Sequence, residues 1–226
     1  FAKETIEKAR IITRENVYFA MPYTEGQLDS GYWQNGIMAK CNINIDEPLA
    51  NKSLVIPERS KDKLLKNAVH DVKALLNQAH IALGSEFSVE YSHHYGIENF
   101  RETGAVIINC INREYCKKII VQLPSQKHPM HFHKRKEETF QVLYGELHIE
   151  VDGHHKLLIQ GDKQLILPGV WHSFWTDTGA VFEEISTTHY NDDSFYKDKI
   201  INKQGREARK TVVEHWGRFQ LIEYIS

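Results

Sequence analysis

A chain of 226 residues with 41% hydrophobic and 26% charged residues can bury one large core or two small ones, and reads as soluble and globular. The 28 basic and 30 acidic residues are interspersed, and a formal net charge of −2 leaves no electrostatic footprint for nucleic acid. No apolar run approaches a membrane span and no secretory-signal pattern is present, so neither membrane nor nucleic acid is an expected partner and the cytoplasm is the expected compartment. Cys41, Cys110 and Cys116 lack zinc-knuckle spacing and fit reduced thiols of that compartment. Phe1 stands where an initiating methionine is usual, which points to a processed or excised chain.

Over residues 1–58, short apolar runs such as Ile11-Ile12, Val17-Tyr18-Phe19 and Ile37-Met38-Ala39 alternate with Pro22, Gly26, Gly31 and Gly36, predicting a small β-rich module. Residues 59–84 change period. Leu65, Ala68, Val69, Val72, Leu75, Leu76 and Ala79 recur every three to four residues, predicting an amphipathic linker helix with Ser60 as N-cap and Gly84 as its stop. Residues 85–226 are predominantly strand. Phe87, Val89 and Tyr91 alternate; Ala105–Ile108 and Lys118–Leu123 flank a hairpin turn at Asn112-Arg113-Glu114; further strands cover 140–144, 147–151, 155–159 and 164–167. Closely spaced antiparallel strands of this kind build a double-sheet jelly roll whose ligand pocket is the mouth between the sheets. His93, His94, His154 and His155 read as turn or surface histidines, with His189 the one to watch near a site.

Two segments carry chemistry: Pro129-Met130-His131-Phe132-His133-Lys134-Arg135-Lys136-Glu137-Glu138, and Pro168-Gly169-Val170-Trp171-His172. Side chains one residue apart on a strand share a face, so His131 and His133 can chelate one ion without bending the chain. Glu138 follows across a charged turn, and His172 leaves a Pro-Gly turn. Three imidazoles and one carboxylate suit one divalent transition ion, Mn, Zn, Fe, Co or Ni, with positions left open for water or substrate.

The order His131, His133, Glu138 and Gly145 resembles the first motif of the cupin superfamily, and Gly161 through Pro168-Gly169 to His172 resembles the second. Leu167 departs from a common proline and Thr176 from a common asparagine; neither is a ligand position. With Arg135-Lys136, His172-Ser173-Phe174-Trp175, Glu184-Ile185-Ser186 and Asn191-Asp192-Asp193, the chain is similar to the D-lyxose isomerase branch, in which a lysine precedes the first metal histidine by thirteen residues, as Lys118 does here. The resemblance implies a cupin double-stranded β-helix in which His131, His133, Glu138 and His172 hold the ion. It makes Lys118 and Glu184 catalytic, with Lys118 on the sugar and Glu184 as acid or base, and assigns substrate binding to Lys136 and Trp175.

A second resemblance lies in residues 1–58. Ala9 to Val17, a proline, and Ala39-Lys40-Cys41-Asn42-Ile43-Asn44-Ile45-Asp46-Glu47-Pro48-Leu49 resemble the SAF, or antifreeze-like, β-clip domain at the C-terminus of sialic acid synthases. Met21 precedes Pro22 where that domain often carries an arginine. The two resemblances imply the SAF-cupin C-terminal region of a sialic or nonulosonic acid synthase-like protein of carbohydrate biosynthesis, homodimeric, with a metal-dependent site for a sugar. With no (β/α)₈ barrel, the chain is not expected to be a complete synthase. Two further readings stay open: a non-catalytic sugar-binding or regulatory module, and an Fe(II) dioxygenase built on the same ligands.

Overall fold

The computed structural model describes residues 1–28, 30–58, 61–213 and 216, and divides into two compact units, Phe1–Arg59 and Ser60–Ser226. In the first unit β1 (Met38–Ala39) pairs antiparallel with β2 (Leu54–Val55). Single bridges join Ala2 to Val17, Ile6 to Ile43, Ile11 to Met38 and Gln27 to Ala50. The expected runs at Ile11-Ile12 and Val17–Phe19 therefore do not extend into strands. Each contributes little more than one inward residue between turns: Ile12 is 1% exposed while its neighbour Ile11 is 59% exposed. Ile6, Ile12, Ile37, Ile43 and Leu54 form the centre of a small separate core.

The second unit opens with α1 (Lys61–Gln78). The expected N-cap, Ser60, lies outside the described residues. The helix ends earlier than Gly84. His80 takes a left-handed conformation (φ 55), its N–H meets the Asn77 carbonyl at 3.0 Å, and the Ile81 N–H meets the Leu76 carbonyl at 3.0 Å. This pair of bonds is a Schellman cap, and Leu76 and Ile81 supply the apolar contact that accompanies it.

Among the described residues twelve strands follow α1: β3 (Ser88–Ser92), β4 (Ala105–Asn112), β5 (Tyr115–Gln122), β6 (Lys127–Phe132), β7 (Glu138–Gly145), β8 (Leu147–Val151), β9 (His154–Leu158), β10 (Lys163–Ile166), β11 (His172–Trp175), β12 (Ala180–Thr187), β13 (Phe195–Tyr196) and β14 (Lys210–Val213). Short helices α2 (Lys199–Lys203) and α3 (Arg206–Arg209) precede β14. The strands form a seven-stranded sheet, β10-β7-β12-β5-β4-β3-β14, and a five-stranded sheet, β13-β6-β11-β8-β9. This is a mainly β jelly roll.

Alternation along each strand sets both cores. Val89, Tyr91, Val106, Ile108, Ile119, Val121 and Val181 pack with Ala68, Val69, Val72, Leu75 and Leu76 of α1. Their neighbours Ala105, Ile120, Phe140, Val142, Ala180 and Phe182 pack with Leu147, Ile149 and Phe174 of the five-stranded sheet. The helix is thus part of this unit's core, covering one face of the larger sheet. Gly145, at φ 77, ends β7 where a Cβ would overlap the Gly179 carbonyl oxygen, so the turn into β8 requires glycine.

A chain beginning at residue 61 is expected to unfold in denaturant as one cooperative transition. A chain beginning at residue 85 strips the cover from Val72, Leu75 and Leu76's partners and should aggregate or lose that transition, which equilibrium unfolding followed by tryptophan fluorescence checks.

Candidate metal centre and pocket

Strand register brings the three histidines together. His172 on β11 and His131 on β6 are direct cross-strand partners, and His133 lies one residue beyond β6. All three are buried, and each offers a ligand nitrogen within 4.8 Å of the others. The His131 Nδ1–H donates to the Pro129 carbonyl at 2.9 Å, the His172 Nδ1–H to the Val170 carbonyl at 3.1 Å, and the His133 Nδ1–H to the Asp193 carbonyl. A carbonyl only accepts, so these bonds put the proton on Nδ1 and leave the Nε2 lone pairs for an ion. Burial favours the neutral form of two of these rings: it pushes His131 well below the usual histidine range and His133 down to about 4.

Glu138, the first residue of β7, is 2% exposed. Its Oε1 contacts the Lys136 ammonium, and its Oε2 lies 3.2 Å from His172 Nε2. Among the described residues neither Oε2 nor His172 Nε2 has a hydrogen-bond partner. Two buried lone-pair atoms facing each other repel unless a cation joins them. The donor set, three imidazole Nε2 atoms and Glu138 Oε2, fits a divalent transition ion. Burial alone would raise the Glu138 carboxyl, but the Lys136 ammonium outweighs it and holds the group well below the usual range.

Lys118 and Glu184 are direct partners across β5 and β12, and both side chains project into the same pocket. The Lys118 ammonium donates to Glu184 Oε1 at 2.9 Å, the Lys136 ammonium donates to that oxygen at 2.9 Å, and the Ser186 hydroxyl donates to it at 3.3 Å. All three bonds converge on Oε1. Burial pushes the Glu184 carboxyl up, yet Lys118 and Lys136 hold it down to about 2. Lys136 is correspondingly raised above the ordinary lysine range by Glu138 and Glu184, despite its burial.

Trp175 is not brought to the pocket. It follows inward-facing Phe174 by one residue on β11 and so faces the other side of the sheet. There it stacks on His148 (ring centroids 5.2 Å, 6°) and His155 (5.1 Å, 15°). The expectation that His93 and His94 lie at the surface is also corrected: they are 5% and 0% exposed. His94 Nε2 meets His128 Nε2 at 3.1 Å, His128 stacks on Phe174 (4.5 Å, 7°), and burial pulls His94 down to about 3. His154 and His155 are exposed, and His189 lines the pocket.

Sequence reasoning missed three contributors. The Asp193 carboxylate, 2% exposed, accepts the backbone N–H groups of Lys134, Arg135 and Lys136, the loop between His133 and Glu138. Glu90 and Lys210 line the pocket from β3 and β14. The Asx-rich segment Asn191-Asp192-Asp193 was a visible signal for the first, and the β-branched run Thr211-Val212-Val213 for the strand that carries Lys210.

Residues 119–186 match the family described as the cupin domain. That match lies within the second unit. The chain is 27% identical over 177 residues to the D-lyxose/D-mannose isomerase of Thermosediminibacter oceani, covering 65% of this chain and 96% of the relative. It is 24% identical over 178 residues to the D-lyxose ketol-isomerase of a Thermofilum species, covering 62% and 95%. Among solved structures it resembles the L-ribose isomerase of Acinetobacter sp. DL28 in complex with L-ribose, at 14% identity and a TM-score of 0.52 over 62% of this chain and 94% of that one. The Geodermatophilus obscurus L-ribose isomerase gives 17% identity and 0.50 over 63% and 92%. These structural likenesses show a shared fold. The sequence likeness is to sugar isomerases. No described helix is long and apolar enough to cross a membrane.

Replacing His131 or His172 by alanine should leave most of the protein without bound metal, as measured by elemental analysis after dialysis; full stoichiometry in both variants would overturn the donor set. The Glu184 carboxyl, lower in the fold than its ordinary 4.5, stabilises the protein above that value, and the contribution is lost as pH falls toward about 2. Chelator-treated Glu184→Gln should therefore show a shallower acid loss of stability than the parent in denaturant titrations between those values.

Proposed function

We propose that the second unit is a metal-dependent aldose–ketose isomerase acting on a sugar in its open-chain form. The observation that carries this reading is the arrangement at Glu184. Among the described residues, this buried carboxylate receives its three hydrogen bonds on Oε1, leaving Oε2 to meet a substrate proton. Lys118 and Lys136 keep it ionised, so it rests as a base. In this reading Glu184 Oε2 takes a proton from the carbon next to the carbonyl and returns it to the former carbonyl carbon, while the proton of the adjacent hydroxyl passes to the former carbonyl oxygen. Lys118 has ammonium protons beyond the one given to Glu184 and directs them at a sugar oxygen. Lys136 spans Glu138 and Glu184 and fixes their separation. A divalent ion at this centre would supply Lewis-acid stabilisation of the negative charge that develops on the sugar oxygens. His131, His133, Glu138 and His172 are the residues that would hold it.

The names of the sequence relatives support this reaction class, and no redox change is needed for it. We further propose that residues 1–58 form an SAF-like module joined to this cupin, as in sialic acid synthase-like proteins. Its strand-poor, bridge-linked core supports that reading.

Glu184→Gln is expected to retain metal and abolish exchange of solvent deuterium into the sugar carbon beside the carbonyl, with manganese supplied and oxygen excluded. Lys118→Ala should chiefly raise KM. No exchange by the parent protein across pentoses, hexoses and amino sugars, with the metal site filled, would favour a non-catalytic binding module.

A further inference from the structure

The pocket floor is a polar track that crosses the seven-stranded sheet. Glu184 on β12, Lys118 on β5, Asn109 on β4, Glu90 on β3 and Lys210 on β14 all line the pocket, each from the next strand in the order. The contacts are nearly continuous. Lys118 meets Glu184 at 2.9 Å, Asn109 Nδ2 meets Glu90 Oε1 at 3.4 Å, and the Lys210 ammonium meets Glu90 Oε2 at 3.0 Å. Lys118 and Lys210 come from strands three places apart, yet both side chains enter the same pocket, so a sugar that reaches Lys118 at one end can present a terminal group to Lys210 at the other.

The two ends differ in charge. At the Glu184 end, Lys118 and Lys136 are matched by Glu184 and Glu138. At the far end Glu90 receives Arg206 at 2.6 Å as well as Lys210, so one carboxylate faces two cations. Lys210 has Glu90 as its sole hydrogen-bond partner among the described residues, which leaves two of its three donors for a ligand. Its surroundings disfavour the charge it carries: burial, with Arg206 and Lys118 nearby, pulls the ammonium down to about 8 despite Glu90. The segment 197–210 that delivers it holds six basic and two acidic residues in a chain whose net charge is −2.

We propose that the pocket takes a sugar bearing a terminal anionic group, a phosphate ester or a carboxylate, seated against Lys210 while the carbonyl end lies at Glu184. This rests on the reading of the pocket as a sugar site, and deepens it by naming the substrate class. A buried ammonium with unmatched donors gains a charge-assisted hydrogen bond from such a group and none of comparable strength from a neutral hydroxymethyl.

Binding separates this inference from the isomerase reading, because calorimetry requires no turnover. The metal-loaded full chain is titrated with a neutral aldose, its terminal phosphate ester and its uronic acid. At least one anion is expected to bind about tenfold or more tightly than the neutral sugar. That gap should collapse in Lys210→Met and survive in Lys210→Arg. A gap for the ester alone or the acid alone assigns the source of the anion. Should Lys210→Met fail to fold, Arg206→Met removes the surplus charge from the same end and should narrow the gap. Equal affinity for all three ligands, a gap untouched by these variants, or no binding of any of them overturns the proposal.

Discussion

The Lys136 ammonium sits between the carboxylates of Glu138 and Glu184, and the arrangement of the pocket depends on it. All three groups are almost wholly buried, with side-chain exposures of 2–5%. Charges in such a place are tolerated only when paired, and removing one partner from a buried set costs about 3–5 kcal/mol. By occupying Oε1 of each acid, Lys136 also sorts their remaining oxygens. Oε2 of Glu138 is left facing His172, and Oε2 of Glu184 is left for the substrate of the proposed reaction. In the proposed reaction, this one lysine divides two chemically identical groups into a ligand and a base.

The fold supplies this placement through pairing register. His131 meets His172 in the smaller sheet, and Lys118 meets Glu184 in the larger one. Phe140, Phe174 and Phe182 fill the space between the sheets, close beneath both groups. A one-residue slip of any of these strands would send its polar side chain to the opposite face, so the same packing that stabilises the jelly roll specifies the site.

Legibility in the sequence followed the strength of local patterns. The histidine and glutamate spacings were readable because a strand places alternate residues on one face. The directions of Lys118 and Glu184 were not, since at these ends of β5 and β12 the buried face carries the charges while the apolar Ile185 is 48% exposed, which inverts the alternation that usually reveals a face. Trp175 could have been excluded: if His172 points inward, so does Phe174, and Trp175 does not. Ending α1 at Gly84 misled because His80 adopts the left-handed cap conformation that glycine usually supplies. In the first unit the apolar runs were correctly seen as apolar, but cross-chain pairing limited to single bridges decides strand length there. Glu90 and Lys210 join the pocket only through long-range pairing of β3 with β14, which local pattern does not report.

Asp193 ties two parts of the chain that are far apart in sequence. Its carboxylate gathers three consecutive amides of the loop bearing Lys136, and its carbonyl accepts the proton of His133. It belongs to the segment after β12 that leads through β13 to the basic stretch and β14. Any ligand that tightens the imidazole cluster must, by reciprocity, tighten this segment, and any disturbance of the segment must loosen the cluster by the same free energy. Ion affinity and the order of the polypeptide wrapped across the pocket are therefore one thermodynamic quantity seen from two ends. In such a molecule, loading the ion would also prepare the wall against which the rest of the substrate is held.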